Sequence, residues 1–94
     1  MGVIFTVAYH EKVVTDDIPK LSSPDRRRIK SAIEKKLISE PEVFGIPLRK
    51  SLKGYRKLRV GDYRIIFKIE NAIVKIFVIQ HRSVVYKNLE KRLN

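Results

Sequence analysis

The second half of this chain gathers basic, aromatic and histidine side chains whose types and spacing could do chemistry. Between Tyr55 and Val60 the sequence alternates with period two, so Tyr55, Lys57 and Arg59 share one side of a strand while Arg56, Leu58 and Val60 share the other. Leu58 and Val60 belong in a core, which leaves Tyr55, Lys57 and Arg59 as a basic, aromatic strip. A second strand brings Arg64, facing away from Tyr63, Ile65 and Phe67. A third ends in Gln80-His81-Arg82, and Tyr86 follows. If the third strand returns antiparallel to the second, these ends converge in a cleft containing Lys57, Arg59, Arg64, His81, Arg82 and Tyr86. Arginine and lysine neutralise the extra charge of a pentacoordinate phosphorane. RNA brings its own nucleophile, the 2′-OH, so the protein needs only a base for that proton and an acid for the departing 5′ oxygen. His81, Tyr86 and Lys57 are the available proton handlers. Each has a duller use: Tyr86 as a core aromatic, His81 as a structural histidine, Lys57 as a solvated strand residue.

Other chemistries fit the composition poorly. The chain has no Cys, hence no disulfide, thiol nucleophile or cysteine metal cluster, and only two His, which disfavours a zinc site. The predicted cleft lacks a glycosidase carboxylate pair and the acidic cluster of a Mg²⁺ nuclease, and no nucleophile-elbow motif is present. No cofactor or metal is expected. No apolar run approaches the roughly 18 residues that span a bilayer, and Met1–Tyr9 is too short for a secretory signal. The expected location is the cytoplasm.

The charge is lopsided. Residues 1–47 hold 8 basic and 7 acidic side chains, whereas residues 48–94 hold 13 and 3, so nearly all of the +11 net charge belongs to the second half. Such a field points to a polyanionic partner, nucleic acid, an acidic protein or an anionic membrane surface, with nucleic acid or an acidic protein favoured over a merely solubilising surface, which usually mixes both signs.

The positioning elements follow from periodicity. At 94 residues and without repeats or Gly/Ser linkers, the chain reads as one domain, 1–94. Val3–Tyr9 reads as a strand, and Glu11–Ile18 as a short helix ended by Pro19. A second helix is capped by Ser23, buries Ile29, Ala32, Ile33 and Leu37, and stops near Ser39; Arg26, Arg27, Lys30 and Glu34 form its solvated face. Residues 41–53 read as a loop. Strands 55–60, 63–69 and 72–79 turn at Gly61-Asp62 and Glu70-Asn71. The last is apolar on both sides and so belongs mid-sheet. Val85, Leu89 and Leu93 predict a final helix. The expected fold is α+β, β-α-α-β-β-β-α, with a curved, mainly antiparallel four-stranded sheet carrying helices.

The run Leu52 to Phe67, LKGYRKLRVGDYRIIF, resembles the signature hairpin of the RelE/ParE toxin superfamily, and Val78 to Tyr86, VIQHRSVVY, is similar to its last-strand segment. The resemblance implies a RelE-like domain acting as the toxin of a type II toxin–antitoxin pair. RelE-like members cleave messenger RNA in the ribosomal A site without a metal; ParE-like members share the fold and poison DNA gyrase. By the same resemblance, Lys57 serves proton transfer and Arg59 and Arg64 bind phosphate. Arg82 stabilises the transition state, and Tyr86 orients or deprotonates the attacking hydroxyl. The pattern departs from the best-known RelE members in placing Tyr55 where a second lysine stands and His81 at the strand end, where it can act as acid or base. The expected reading is a metal-independent, ribosome-dependent endoribonuclease with catalytic Lys57, Arg64, His81, Arg82 and Tyr86 and RNA-binding Lys53, Tyr55, Arg56 and Arg59. A gyrase inhibitor is the alternative, and a non-toxic member that only binds its antitoxin a third. Its expected partners are a cognate acidic antitoxin and mRNA in the A site, with no membrane, and oligomers arising only through the antitoxin complex.

Overall fold

In the computed structural model, which describes residues 4–93, the opening β-branched run forms β1 (Thr6–Tyr9). Val3, predicted to begin this strand, lies outside the described residues. The chain then passes through a wide helical turn, Val13–Asp17, closed by Ile18 N–H donating to Val13 O, and a 3₁₀ turn, Ile18–Lys20. Pro19 does not end this helical stretch as predicted. It sits inside the 3₁₀ turn near its start, where a missing N–H costs nothing, and the chain becomes extended only at Leu21. α1 (Ser23–Ala32) continues without a break through a second wide turn, Ile33–Leu37. Its cap is Ser22, one residue before the predicted Ser23, because Ser22 Oγ accepts Asp25 N–H at 3.2 Å.

The predicted loop 41–53 holds three short elements: α2 (Pro41–Phe44), β2 (Ile46–Pro47) and a 3₁₀ turn, Lys50–Leu52. Pro47 is tolerated because β2 is an edge strand. Gly45 is required by packing, since a Cβ there would lie 2.4 Å from Phe67 Cζ and 2.8 Å from Pro41 O. β3 (Arg56–Val60), β4 (Tyr63–Glu70) and β5 (Ile73–His81) then form two antiparallel hairpins. Their turns place Gly61 at φ +60° and Asn71 at φ +56°, so the second turn is Asn71-Ala72, one residue beyond the predicted one.

The sheet has five strands rather than four, in the order β1-β5-β4-β3-β2, because Ile46–Pro47 adds to β3. β1 runs parallel to β5, and the other pairings are antiparallel. β5 is internal, as its unbroken apolar sequence demands, and Val74, Ile76, Val78 and Ile79 are all buried. The sheet separates two cores. On one face, Leu58, Ile65, Phe67, Val74, Ile76 and Ile79 pack against Val13, Leu21, Ile29, Ile33 and Leu37. On the other, Ile66 and Val78 pack against Val85 and Leu89 of α3 (Val85–Leu93). No helix among the described residues is long and apolar enough to cross a membrane.

β1 stops opposite Ile76, leaving the next stretch of the β5 edge without a strand partner. A buried ion pair takes its place. Arg92 donates from Nη1 to Asp17 Oδ2 at 2.7 Å and from Nη2 to Asp17 Oδ1 at 3.1 Å. The same carboxylate accepts Ile79 N–H at 2.9 Å and Gln80 Nε2 at 2.9 Å, and Arg92 Nη1 also donates to Phe77 O at 2.9 Å. Burial pushes the Asp17 carboxyl up, but the hydrogen bonds from Arg92, Ile79 and Gln80 and the guanidinium charge outweigh it and hold the group below the ordinary carboxylate range.

Three outcomes follow for stability. Asp17→Ala leaves Arg92 buried without its partner and is expected to cost about 3–5 kcal/mol by urea denaturation. Because the folded-state pKa is depressed, the Asp17 contribution is full above the ordinary carboxylate range and disappears as pH falls through the folded value, so the variant should lose less stability on acidification than the wild type. Gly45→Ala should cost about 1–3 kcal/mol through the forced shift of Phe67, read as a lower denaturation midpoint at unchanged slope.

Candidate functional site

Directly opposed residues in neighbouring strands share a face, so the strand register sorts the candidate residues. Lys57, Ile66 and Val78 form one row across β3, β4 and β5, and Arg59, Arg64 and Gln80 form the next. Both rows lie on the α3 side of the sheet. Ile66 and Val78 are covered by α3, whereas Arg59 is exposed and Arg64 half-buried. The helix therefore seals the apolar row and leaves the cationic row open at the end of the sheet.

Each cation is held differently. Lys57 Nζ lies 5.9 Å from the centroid of the Tyr86 ring, which α3 brings over the sheet with its body packed in the second core. Arg64 Nη1 donates to Gly61 O and Tyr63 O, both at 2.9 Å, which anchors its guanidinium on the β3–β4 turn. Arg82 meets the same turn from the other side: its N–H donates to Asp62 O at 2.8 Å, and Nε lies 3.7 Å from Asp62 Oδ1 on an exposed pair. Lys57, Arg59, Arg64 and Tyr86 thus gather on one face, with Arg82 at its rim.

The other predicted site residues are used differently. Tyr55 is used in packing, its ring edge-on to Phe77 at 5.4 Å with Lys68 Nζ 5.4 Å from its centroid. Arg56 faces the first core side and donates from Nη1 to Gly45 O at 3.0 Å and Glu42 O at 3.3 Å, bracing the α2–β2 segment. Lys53 is exposed on the approach to β3. His81 pairs with Tyr63, so it projects from the face opposite Lys57 and Arg64, its ring edge-on to Tyr63 at 5.9 Å. The expected single cleft is therefore two surfaces. Ser83 N–H donates to His81 Nδ1 at 3.1 Å, which puts the proton of the neutral ring on Nε2. His81 borders a cavity of about 220 Å³ shared with Lys20, Tyr63, Gln80 and Asn88.

Gln80 is the residue the sequence reading passed over. It completes the Arg59–Arg64 row, with Nε2 donating to Asp17 Oδ1 and Oε1 accepting from Asn88 Nδ2 at 2.6 Å. Among the described residues no three His, Asp or Glu side chains converge in a way that would hold a metal ion. The arrangement offers forked guanidinium donors, an ammonium and a phenol on one open face, a set suited to an anionic, phosphate-bearing chain.

Comparison with known proteins bears on the family and the fold. The model of a family described as the ParE toxin of the type II toxin–antitoxin system parDE matches residues 10–86. Toxin RelE of Mycobacterium tuberculosis is 38% identical over 53 residues, which are 54% of this chain and 55% of that protein, so the match spans about half the length of the relative. The toxin–antitoxin complex RelBE2 from Mycobacterium tuberculosis superposes with a TM-score of 0.78 at 29% identity, covering 86% of this chain and 94% of that one. A mutant of the E. coli toxin RelE in the free state shares the fold, with a TM-score of 0.73 at 21% identity over 98% of this chain and 100% of that one. With its matched span taking in both hairpins and the start of α3, the chain belongs to the RelE/ParE superfamily of type II toxin–antitoxin toxins.

Proposed function

We propose that this toxin is a metal-independent, ribosome-dependent endoribonuclease. The observation that supports the reading is the placement of Arg59 and Arg64 in one open row beside Lys57, whose ammonium sits against Tyr86, all on the α3 side of the sheet. A message strand lies along that face with its scissile phosphate held by Arg64 and Arg82. The 2′-OH attacks phosphorus, Tyr86 or Lys57 takes its proton, and the 5′ oxygen leaves with a proton from the other. His81, on the far face, is not needed for this step. A cognate acidic antitoxin neutralises the toxin by covering the cationic face; several solved relatives are themselves toxin–antitoxin complexes.

The matched family model is that of ParE, and this favours a second reading in which the same surface docks on DNA gyrase without chemistry. Toeprinting on translating ribosomes separates the two: cleavage within the A-site codon supports the nuclease. Intact transcripts at growth-arresting doses, with loss of supercoiling by purified gyrase, overturn it. Arg64→Ala and Arg82→Ala should each lower the cleavage rate by about 10²–10³-fold, the scale of a lost oxyanion donor. Full cleavage by both variants removes them from the site.

A further inference from the structure

On its β1 side, β5 has no strand partner beyond Ile76, and a cleft lies where one would have run. Its inner part is the cavity of about 220 Å³ beside His81, bordered by the Tyr63 and His81 rings, which meet at 79°. Its outer part is a hollow of about 320 Å³ that shares Lys20, Gln80 and Asn88 with the inner one and adds Lys12, Lys91 and Asp16. Asp17 and Arg92, which also line the cleft, neutralise each other. Three ammonium groups therefore stand against one carboxylate, that of Asp16, which accepts the Thr15 hydroxyl at 3.1 Å. Lys12, Lys20 and Lys91 enter none of the ion pairs among the described residues. The cleft is aromatic at one end and cationic at the other.

Its hydrogen-bonding pattern is fixed from the buried side. A carboxylate only accepts, so Asp17 Oδ1 turns the Gln80 amide nitrogen towards itself at 2.9 Å. Gln80 Oε1 then accepts from Asn88 Nδ2 at 2.6 Å, and this orientation leaves Asn88 Oδ1 as an acceptor. His81 spends Nδ1 on Ser83 and keeps its proton on Nε2, for which the described residues supply no partner. These groups select the occupant. An inorganic anion uses the ammonium groups and leaves the rings and the Asn88 carbonyl idle. An acidic side chain does the same. A nucleotide uses all of them, because its base stacks on tyrosine or histidine and carries donors and acceptors on its edges, while its phosphate meets the ammonium groups.

We propose that this cleft is a nucleotide site, with the base against Tyr63 and His81, its edge on Asn88 and its phosphate towards Lys20. The nucleotide is either free or the unit of the message adjoining the cleaved bond, since Gln80 belongs both to the cleft and to the Arg59–Arg64 row. Only the second source rests on the nuclease reading above.

NMR titration of the full chain with the four 5′-mononucleotides, ribose 5-phosphate and inorganic phosphate tests the site without any cleavage. At least one nucleotide should move the His81 and Tyr63 ring signals and the Asn88 side-chain amide, and should bind about tenfold or more tighter than ribose 5-phosphate, the scale of one stacked base. Val84→Trp, at an exposed position bordering the cavity, fills it and should abolish that preference at an unchanged melting temperature. Lys20→Gln should weaken nucleotides and ribose 5-phosphate alike. Equal affinity for nucleotides and ribose 5-phosphate in the wild type overturns the inference, as does binding that leaves the His81 and Tyr63 signals in place, or no binding. A folded Val84→Trp that keeps the preference, or a Lys20→Gln that binds nucleotides as tightly as the wild type, overturns it too. Single-turnover cleavage of messages differing in the base beside the cleaved bond reads the source. Rates that depend on that base in the wild type but not in Val84→Trp identify the message, and the same dependence in both identifies a free nucleotide. A chain that binds nucleotides but cuts no message keeps the site and loses the nuclease; the reverse result loses only the site.

Discussion

The Asp17–Arg92 pair is the constraint on which the rest of the molecule depends. It joins a helical turn near the start of the described chain to the end of α3, and it does so over the β5 backbone, filling the donor and acceptor positions at Ile79 and Phe77 that a longer β1 would have taken. Removing two charges from water is expensive, and a buried pair of this kind often contributes little net stability compared with apolar residues of the same shape. What it contributes here is register. Only one position of α3 lets the Arg92 fork meet both carboxylate oxygens, and that position also sets Asn88 on Gln80 and Tyr86 against Lys57.

The cationic row follows from how the two faces are shared out. α1 and the first helical turns cover one side of the sheet completely enough to bury Leu58, Ile65 and Phe67. α3 is shorter and covers only the row containing Ile66 and Val78, so the neighbouring row, where the apolar side chains give way to Arg59, Arg64 and Gln80, stays open. The β3–β4 turn then supplies carbonyls that hold the guanidinium of Arg64 and the backbone of Arg82. Fixing a cation by backbone carbonyls keeps its charge available while reducing the rotamers it samples, which suits recognition of a charged chain.

Much of this was legible in the sequence, and the failures have physical causes. The alternation from Tyr55 to Val60 put Lys57 and Arg59 on the side of β3 away from Leu58, because that side is plainly polar and the other is not. The absence of alternation in β5 correctly put it inside the sheet, but the same absence hid which side His81 faces, since a strand buried on both faces carries no marker of parity. Phe77 compounds this: the register jumps by one residue between Ile66 and Phe67, and nothing in an apolar run marks an extra residue. Ile46–Pro47 was missed as a strand because it pairs through two residues only, one of them proline. The Asp17–Arg92 pair was not readable, as one charged residue among many gives no sign of a partner 75 positions away.

The parallel pairing of β1 with β5 has a consequence for how the molecule is made. Thr6 finds its neighbour at Ile73, so the first strand has no place in the sheet until both later hairpins have left the synthesising machinery. Loops of that size close late, and contacts so distant along the chain slow the final step of assembly. The α3 surface that brings Tyr86 over Lys57 is locked by a residue even further downstream. A growing chain therefore carries its basic hairpin before α3 has set Tyr86 against Lys57, and the order of that face waits on the Asp17–Arg92 contact.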